Sequence, residues 1–286
     1  MASVRMTVLG CSGSVTGPGV AASGYLVTAP DTPPIVLDFG GGVLGELQRY
    51  VDPREAVVLL SHLHADHCLD LPGLLVWRRY GPESGPYVAA GTEGRGLLYG
   101  PPGTGYRIGA ASAEIPGEID DISDTIDLHT WVPGVETTIG AVTVRAERVL
   151  HPPDSYGMRL SLAGGGVLAY SGDTAMCEEV VDLARGADLF LCEASWTHDP
   201  ANRPPGLHLS GTEAGRIAAE AEVGHLLLTH LAPWTDRDEI YAEARAEFDG
   251  PITVVAPHDT FVVGDAADAD GADPARSSAP TAAVGG

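Results

Sequence analysis

Short runs of Val, Ile and Leu recur along the chain between glycine and proline residues, with the length typical of buried strands. They predict strands at Arg5–Leu9, Gly24–Thr28, Ile35–Asp38, Val57–Ser61, Tyr87–Ala90, Val142–Leu150, Val167–Ser171, Leu189–Cys192, His225–Thr229 and Ile252–Ala256. A helical apolar periodicity predicts helices at Gly42–Tyr50, Leu71–Tyr80, Glu178–Ala184, Gly211–Glu222 and Arg237–Phe248. Strands in blocks with helices between them favour layered sheets flanked by helices.

The fourth predicted helix shows the pattern most clearly. Its small apolar residues fall on one stripe, and Thr212 is in position to cap its first turn. The stripe consists of Ala214, Ile217, Ala218 and Ala221.

Two regions lack such a pattern. The stretch 81–118 is rich in Gly and Pro and predicts loops around a helix or a short strand. From Asp265 onward the chain has no apolar periodicity, and its charged residues are four Asp and one Arg. We therefore predict one domain over 1–264 and a disordered acidic tail over 265–286.

The net charge of the chain bears on which kind of molecule it can bind. Among 286 residues, 16 are basic and 39 are acidic, which gives a formal net charge of -23, and every basic residue is Arg. Such a chain repels a polyanion unless its few arginines converge on one face. The composition therefore argues against nucleic acid as the main partner.

Nothing in the sequence predicts export or membrane insertion. The first ten residues carry one charged side chain and no long apolar run, and no stretch approaches ~18 uninterrupted apolar residues. The four cysteines (Cys11, Cys68, Cys177 and Cys192) are far apart and form no CxxC motif. They are interpreted as reduced thiols in a cytoplasmic protein.

The densest chemistry lies directly after the predicted strand at Val57, in the stretch His62-Leu63-His64-Ala65-Asp66-His67. In a chain leaving a strand, side chains two apart point the same way, so His62 and His64 can reach one cation. Asp66 and His67 follow after a turn and can face a second cation. This mixture of imidazole and carboxylate suits Zn²⁺, with Mn²⁺ or Fe²⁺ as alternatives. The competing interpretation is an exposed His-rich loop.

Three further candidates share one position in the pattern. His151, Asp173 and His230 each follow a predicted strand. A single residue of this kind is most often a turn residue. Together with the His-rich stretch, however, they predict a metal site on loops at one edge of a layered sheet.

The stretch His62–His67 resembles the HxHxDH signature of the metallo-β-lactamase fold, and Leu71-Pro72-Gly73-Leu74-Leu75 follows it. Leu9-Gly10-Cys11-Ser12-Gly13-Ser14 resembles the first strand and glycine turn of the ribonuclease Z-like branch. Leu37-Asp38-Phe39-Gly40 resembles that branch's Asp-containing segment. The similarity extends from about Arg5 to about Val263 and implies an α/β fold, the four-layer αββα sandwich.

The same resemblance implies two divalent metal ions. His62, His64 and His151 would hold one ion. Asp66, His67 and His230 would hold the other, with Asp173 bridging both. Asp38 would hydrogen-bond near the metal-binding loop and orient a ligand.

A proton relay is also implied. The branch has a His-Glu-Ala-Thr segment and a later His-Ser-Thr segment, whose Glu and His are interpreted as a relay to the leaving oxygen. Glu193 and His208 match these two positions, whereas Cys192 and Ser195 depart from the first segment, and Leu209 and Ser210 depart from the second. The predicted catalytic residues are thus Asp66, Glu193 and His208.

The sequence favours a small phosphodiester substrate. Enzymes that process tRNA 3′ ends carry a long arm between the third-motif His and the bridging Asp, but here His151 and Asp173 are only 22 residues apart. Relatives without the arm include actinobacterial cyclic-nucleotide phosphodiesterases. We therefore expect hydrolysis of 3′,5′-cyclic nucleotides. The alternatives are a ribonuclease Z-like tRNA 3′-processing endonuclease or other nuclease, and a non-catalytic metal-binding domain. A homodimer is expected only by analogy with relatives.

Overall fold

The apolar runs form strands that assemble into two sheets in the computed structural model, which describes residues 4–81, 94–199, 201 and 203–264. The strands are β1 (Val4–Ser12), β2 (Ala21–Ala22), β3 (Gly24–Thr28), β4 (Ile35–Leu37), β5 (Val57–Leu59), β6 (Gly96–Gly100), β7 (Ile126–Thr130), β8 (Glu136–Ile139), β9 (Val142–Val149), β10 (Ser155–Leu162), β11 (Val167–Tyr170), β12 (Leu189–Glu193), β13 (His225–Thr229), β14 (Ile252–Val254) and β15 (Thr260–Val263). The helices are α1 (Val43–Leu47), α2 (Ala65–Cys68), α3 (Leu71–Tyr80), α4 (Thr104–Ser112), α5 (Glu178–Ala184), α6 (Gly211–Glu220) and α7 (Arg237–Glu247), with 3₁₀ turns at Pro53–Glu55 and Ile122–Asp124.

The sheets place several strand ends on one edge. The first sheet has the order β15-β1-β3-β4-β5-β6-β7, with β2 beside β1, and the second has the order β14-β13-β12-β11-β10-β9-β8. Strands β11 to β14 are parallel neighbours, and β9 runs in the same direction because β10 is antiparallel to both β9 and β11. The carboxyl ends of β9, β11, β12 and β13 therefore meet at one edge, where α/β proteins commonly bind ligands.

Three apolar clusters form the layers. One lies between the sheets and joins β1, β3, β4 and β5 to β9, β10 and β12. A second packs α5, α6 and α7 on the outer face of the second sheet, and a third packs α1, α3 and α4 on the outer face of the first. The predicted αββα sandwich is confirmed.

Most of the predicted elements are present. Nine of the predicted strands occur with small shifts at their ends, and Tyr87–Ala90 lies outside the described residues. All five predicted helices form, and the stripe on α6 is fully buried. The stretch 81–118, predicted as loops around a helix or a short strand, contains both β6 and α4 in its described part. Strands β2, β7, β8, β10 and β15 are not among the predicted strands; β7 and β8 alternate half-buried and exposed positions at a sheet edge.

The predicted cap of α6 is wrong. Ser210, not Thr212, is the N-cap: its hydroxyl accepts from the Glu213 backbone N–H at 3.2 Å, and the Glu213 carboxylate accepts from the Ser210 N–H at 3.1 Å. This capping box places the N-cap two residues before Thr212, and such caps are worth ~0.5–2 kcal/mol.

The remaining predictions concern the cysteines, membrane-spanning helices and the C-terminal tail. The four cysteines are free thiols, as expected. In the described part of the chain no helix is both long and apolar enough to cross a bilayer. The tail over 265–286 lies outside the described residues, so the domain boundary stays a prediction.

Candidate metal centre

The seven predicted ligands, which lie far apart in sequence, converge at the carboxyl ends of the strands. His62 and His64 follow β5, and the next turn, α2, carries Asp66 and His67. His151, Asp173 and His230 follow β9, β11 and β13 of the second sheet. The ligands thus come from both sheets and meet where the two sheets face each other.

The first ligand group consists of His62, His64 and His151 with Asp173, and its donor atoms all lie within 4.8 Å of one another. The His62 and His64 rings are 4.7 Å apart between centroids, which confirms that these side chains point the same way. The Nε2 atom of His151 lies 3.3 Å from Nδ1 of His64. His62 is fully buried, whereas His64 is half-buried.

The second ligand group consists of Asp66, His67 and His230, again within 4.8 Å of one another. The Nε2 atoms of His67 and His230 are 3.1 Å apart, and Asp66 Oδ2 lies 3.1 Å from the His230 nitrogen. Asp173 Oδ2 lies 3.3 Å from His67 Nε2, 3.4 Å from His230 Nε2 and 3.5 Å from His62 Nε2. This carboxylate therefore faces both groups.

The donor set fits divalent cations. His62 Nε2 and Asp173 Oδ1 are buried polar atoms that have no hydrogen-bond partner. Leaving such atoms unpaired costs ~1–3 kcal/mol each, so their persistence in a tight cluster indicates that a cation completes their coordination. Neutral imidazoles and carboxylates in this combination suit Zn²⁺ and related ions. Cys68 is not among these donors, because its thiol lies 3.6 Å from the Leu63 carbonyl.

Asp38 orients the second group, as the resemblance implied. Its Oδ2 accepts from His67 Nδ1 at 2.8 Å, from the Tyr170 hydroxyl at 2.6 Å and from the Ser61 hydroxyl at 2.7 Å. The Ser61 backbone N–H donates to Oδ1 at 2.7 Å. With Nδ1 carrying the proton, the Nε2 lone pair of His67 is free to bind a cation.

Other ligands are oriented by different partners. The Ser195 hydroxyl lies 2.7 Å from His230 Nδ1 and 2.8 Å from Glu193 Oε2, which links the ring to a carboxylate. His151 Nδ1 donates to the Leu207 carbonyl at 2.7 Å. His62 Nδ1 lies 3.0 Å from the Ser61 hydroxyl. These contacts direct the opposite ring nitrogens toward the cluster.

The backbone is specialised at the same strand ends. Asp38 and His230 have φ values of 59° and 58°, a left-handed conformation that costs most residues free energy but in which Asp and His are enriched. A Cβ on Gly40 would lie 1.9 Å from the Asp66 carbonyl oxygen, and one on Gly13 would lie 2.2 Å from that of His230. Only glycine permits these two close approaches.

The two groups differ in protonation. Burial lowers the pKa of His62 well below its ordinary value, and burial also lowers the pKa values of His64 and His151. Burial opposes charge on His67 too, but the carboxylates of Asp173 and Asp38 raise its pKa well above the ordinary value. In the metal-free protein the three histidines of the first group are therefore neutral, whereas His67 holds a proton.

Comparisons with known proteins agree with this geometry. A family model described as a β-lactamase superfamily domain matches residues 35–231. The chain belongs to the metallo-β-lactamase superfamily. An uncharacterized protein of Mycobacterium leprae (strain TN) is 60% identical over 258 residues, covering 90% of this chain and 88% of that protein.

Two other relatives extend the comparison. The "probable metallo-hydrolase" YhfI of Bacillus subtilis is 30% identical over 88% of this chain and 96% of its own length. Its crystal structure, a metallo-β-lactamase fold, covers 92% of this chain and all of that chain, with a TM-score of 0.77. A ribonuclease Z of Synechococcus is 32% identical over 70% of this chain and 76% of its own length. The donor set and the family together are those of a metallo-hydrolase of the β-lactamase fold.

Beside the metal-binding donors of this fold stands the predicted relay pair. His208 Nδ1 lies 3.0 and 3.1 Å from the two carboxylate oxygens of Glu193 and 3.8 Å from Asp173 Oδ2. Burial opposes charge on this ring, but the Glu193 carboxylate outweighs it and raises the pKa of His208 to about 9. The ring therefore carries a proton at neutral pH. Its contacts run through Nδ1, so Nε2 is the nitrogen that a substrate would meet.

Sequence reasoning missed several orienting residues. Tyr170 gave no recognisable pattern, since it is the last residue of an apolar strand. Ser195 was interpreted as a departure from the His-Glu-Ala-Thr segment, yet a serine keeps the hydroxyl that reaches His230. The backbone N–H of Ser14 donates to Asp66 Oδ2 at 2.7 Å, a contact that no side-chain pattern could reveal.

Proposed function

We propose that this protein is a metal-dependent phosphodiesterase that hydrolyses 3′,5′-cyclic nucleotides such as cAMP and cGMP to nucleoside 5′-monophosphates. The observation that carries the proposal is the position of Asp173. This buried carboxylate faces both ligand groups and lies 3.8 Å from His208, the protonated partner of Glu193. Two adjacent cation sites beside a proton donor are suited to in-line displacement at phosphorus.

The first and second groups would each hold one divalent cation, Zn²⁺ or alternatively Mn²⁺ or Fe²⁺. Such a pair, when bound, lowers the pKa of a water and polarises a phosphoryl oxygen. The protein's own residues do the rest. Asp66, fixed by the Ser14 N–H and by His230, can hold or accept the proton of the attacking water.

His208 supplies the other proton. When water attacks phosphorus and the bond to the 3′ oxygen breaks, the departing oxygen needs a proton. The His208 Nε2–H can donate it, while Glu193 holds Nδ1 and stabilises the charged ring before the transfer. General acid catalysis of this kind is typically worth ~10²–10⁴-fold in rate.

The size of the site favours a small diester. Between His151 and Asp173 the chain forms only the β10–β11 hairpin, whose strands pair from Met158–Tyr170 to Ser161–Val167. No tRNA-binding arm fits in this connection. Nine arginines of the described residues are already within ion-pair distance of carboxylates: Arg49, Arg54, Arg79, Arg95, Arg145, Arg148, Arg185, Arg203 and Arg216. This pairing supports a substrate that binds inside the site without an extended basic surface.

A second candidate function is tRNA 3′-end processing, which the similarity to the Synechococcus ribonuclease Z favours. It predicts cleavage of a pre-tRNA 3′ trailer and a steep salt dependence of binding. A non-catalytic metal-binding domain is a third candidate, which predicts less than one metal ion per chain after gentle purification.

The test is a substrate panel run on protein loaded with Zn²⁺ and, in parallel, with Mn²⁺. The panel contains cAMP, cGMP, a linear dinucleotide and a pre-tRNA. We expect turnover of the cyclic nucleotides that is lost in His64→Ala and retained in His129→Ala, a matched change on the half-exposed strand β7. Cyclic-nucleotide turnover no faster than that of His64→Ala would defeat the proposal, and selective cleavage of the pre-tRNA would replace it with the second candidate.

A further inference from the structure

Two tryptophans lie in segments that follow strand ends at the metal centre, and neither belongs to the apolar core clusters. Trp196 is half-buried and Trp234 is 73% exposed. Trp131 is their opposite: it is 5% exposed, and its indole N–H donates to the Leu60 carbonyl at 2.9 Å between the sheets. Trp131 is therefore a core residue, whereas Trp196 and Trp234 lie outside the core.

Trp196 is fixed against the relay pair. Its backbone N–H donates to the Leu209 carbonyl at 3.4 Å, and its backbone pairs with Ser210, so the residue lies alongside the His208 segment. The indole and the His208 ring are 5.9 Å apart between centroids, at 36°. The preceding residue, Ser195, contacts both His230 and Glu193. This indole is thus held next to the group that meets the leaving oxygen.

Trp234 is carried by a tight turn that begins beside a metal-binding donor. The turn follows His230 and closes with a hydrogen bond from the Thr235 N–H to the Ala232 carbonyl at 2.9 Å. The Thr235 hydroxyl donates to the Ser195 carbonyl at 3.1 Å, and the Leu231 carbonyl accepts from the Gly13 N–H at 3.1 Å. Hydrogen bonds therefore connect the turn to Ser195, the residue before Trp196, and to Gly13 in the loop that follows β1.

We propose that Trp196 and Trp234 form the nucleobase-binding rim of this site, with Trp196 as the stacking platform beside the phosphate and Trp234 as the outer wall. The inference rests on the proposed function and names what determines its specificity. The metal-binding donors and the relay recognise only a phosphodiester. A base needs a flat apolar surface, and among the residues described at this edge the indoles supply it.

A stacked base gives a recognisable kinetic effect. Removing a stacking aromatic weakens binding of a base by roughly 5- to 150-fold. The loss applies only to substrates that carry a base. A residue that merely packs on His208 would instead slow all phosphodiesters alike, because it would disturb the proton donor.

Turnover of two substrates separates these cases. We compare cAMP with the 3′,5′-cyclic phosphate of methyl riboside, which has a methoxy group in place of the base. In Trp196→Ala we expect kcat/KM for cAMP to fall roughly 5- to 150-fold through KM, with the base-free diester unaffected. Trp196→Phe should restore most of the loss, and Trp234→Ala should give a smaller loss of the same kind. Tyr80→Ala, an exposed aromatic at the end of α3, serves as the matched control.

Binding measurements keep this inference separate from the proposed function. Quenching of indole fluorescence is used to compare 5′-AMP with ribose 5-phosphate on metal-loaded protein. We expect tighter binding of 5′-AMP, and we expect Trp196→Ala to remove the difference. Tighter binding of 5′-AMP than of ribose 5-phosphate, without turnover of cAMP, would refute the proposed reaction but still support base binding by the tryptophans. The proposed base-binding role of the two tryptophans would be overturned by any of three results. These are equal losses of kcat/KM on both diesters in Trp196→Ala, no loss on either diester, or equal affinity of the unsubstituted protein for the two monoesters.

Discussion

The two ligand groups share Asp173 but are supported in different ways. In the first group no ring donates directly to a carboxylate: His151 donates to the Leu207 carbonyl, and His62 reaches Asp38 only through the Ser61 hydroxyl. The second group has one such direct contact. His67 donates directly to Asp38, and His230 reaches Glu193 through the Ser195 hydroxyl.

This difference affects how each group would take up a cation. A carboxylate partner raises the basicity of the ligating ring and fixes its orientation more firmly than a neutral acceptor does. We therefore expect the second group to bind its cation more tightly and with greater proton release than the first.

The largest loss of activity should come from removing Asp173, the residue that the two ligand groups share. In Asp173→Ala both groups lose a ligand and a carboxylate that faces both of them, so we expect activity to fall to the level of uncatalysed hydrolysis. Metal content per chain, measured by elemental analysis after gel filtration, should fall at both positions. Asp182→Ala, a 66% exposed position, is the control and should change neither quantity. Full metal content in Asp173→Ala would show that the groups are independent.

The next largest loss of activity should come from the proton relay, without a change in the metal content of either ligand group. His208→Ala removes the proton donor, so we expect kcat to fall by ~10²–10⁴-fold while metal content is unchanged. The alternative is specific, because His208 also lies within 4.8 Å of donors on Asp173 and His230. A loss of metal in His208→Ala would make this histidine a ligand of the second group.

The sequence predicted the ligands better than their supports. His62, His64 and His67 stand in one recognisable stretch, and His151, Asp173 and His230 each follow an apolar run, so strand periodicity alone placed them at one edge. The fold followed from the same runs, except at strands outside the predicted set. These include the edge strand β7, where half-buried alternation weakens the pattern, and the buried strand β10.

The groups that orient the candidate ligands could not be predicted from the sequence, for a physical reason. Tyr170 reaches Asp38 across the sheet interface, 132 residues away in sequence, and the Leu207 carbonyl reaches His151 through backbone alone. Neither contact leaves a mark on local periodicity.

A moderate effect should distinguish the supports of the two groups. Asp38→Asn removes the charge behind His67 and should weaken cation binding at the second group by ~10–100-fold, while binding at the first group changes little. Tyr170→Phe removes only one of the donors to Asp38 and should give a smaller loss of the same kind. Competition with a chromophoric chelator resolves two affinities, and an equal loss at both would contradict the asymmetry.

The smallest effect is a difference in pH dependence. In the metal-free protein the carboxylates of Asp173 and Asp38 raise the pKa of His67, whereas burial lowers the pKa values of His62, His64 and His151. A cation must therefore displace a proton from His67 but none from the first group. As pH falls below the raised pKa, affinity at the second group should drop by up to ~tenfold per pH unit, while affinity at the first group stays level until pH approaches the lowered values. Calorimetry in buffers of different ionisation enthalpy measures the released protons, and Asp38→Asn should reduce that number. Equal release from both groups would mean that the carboxylate behind His67 has no influence on its proton.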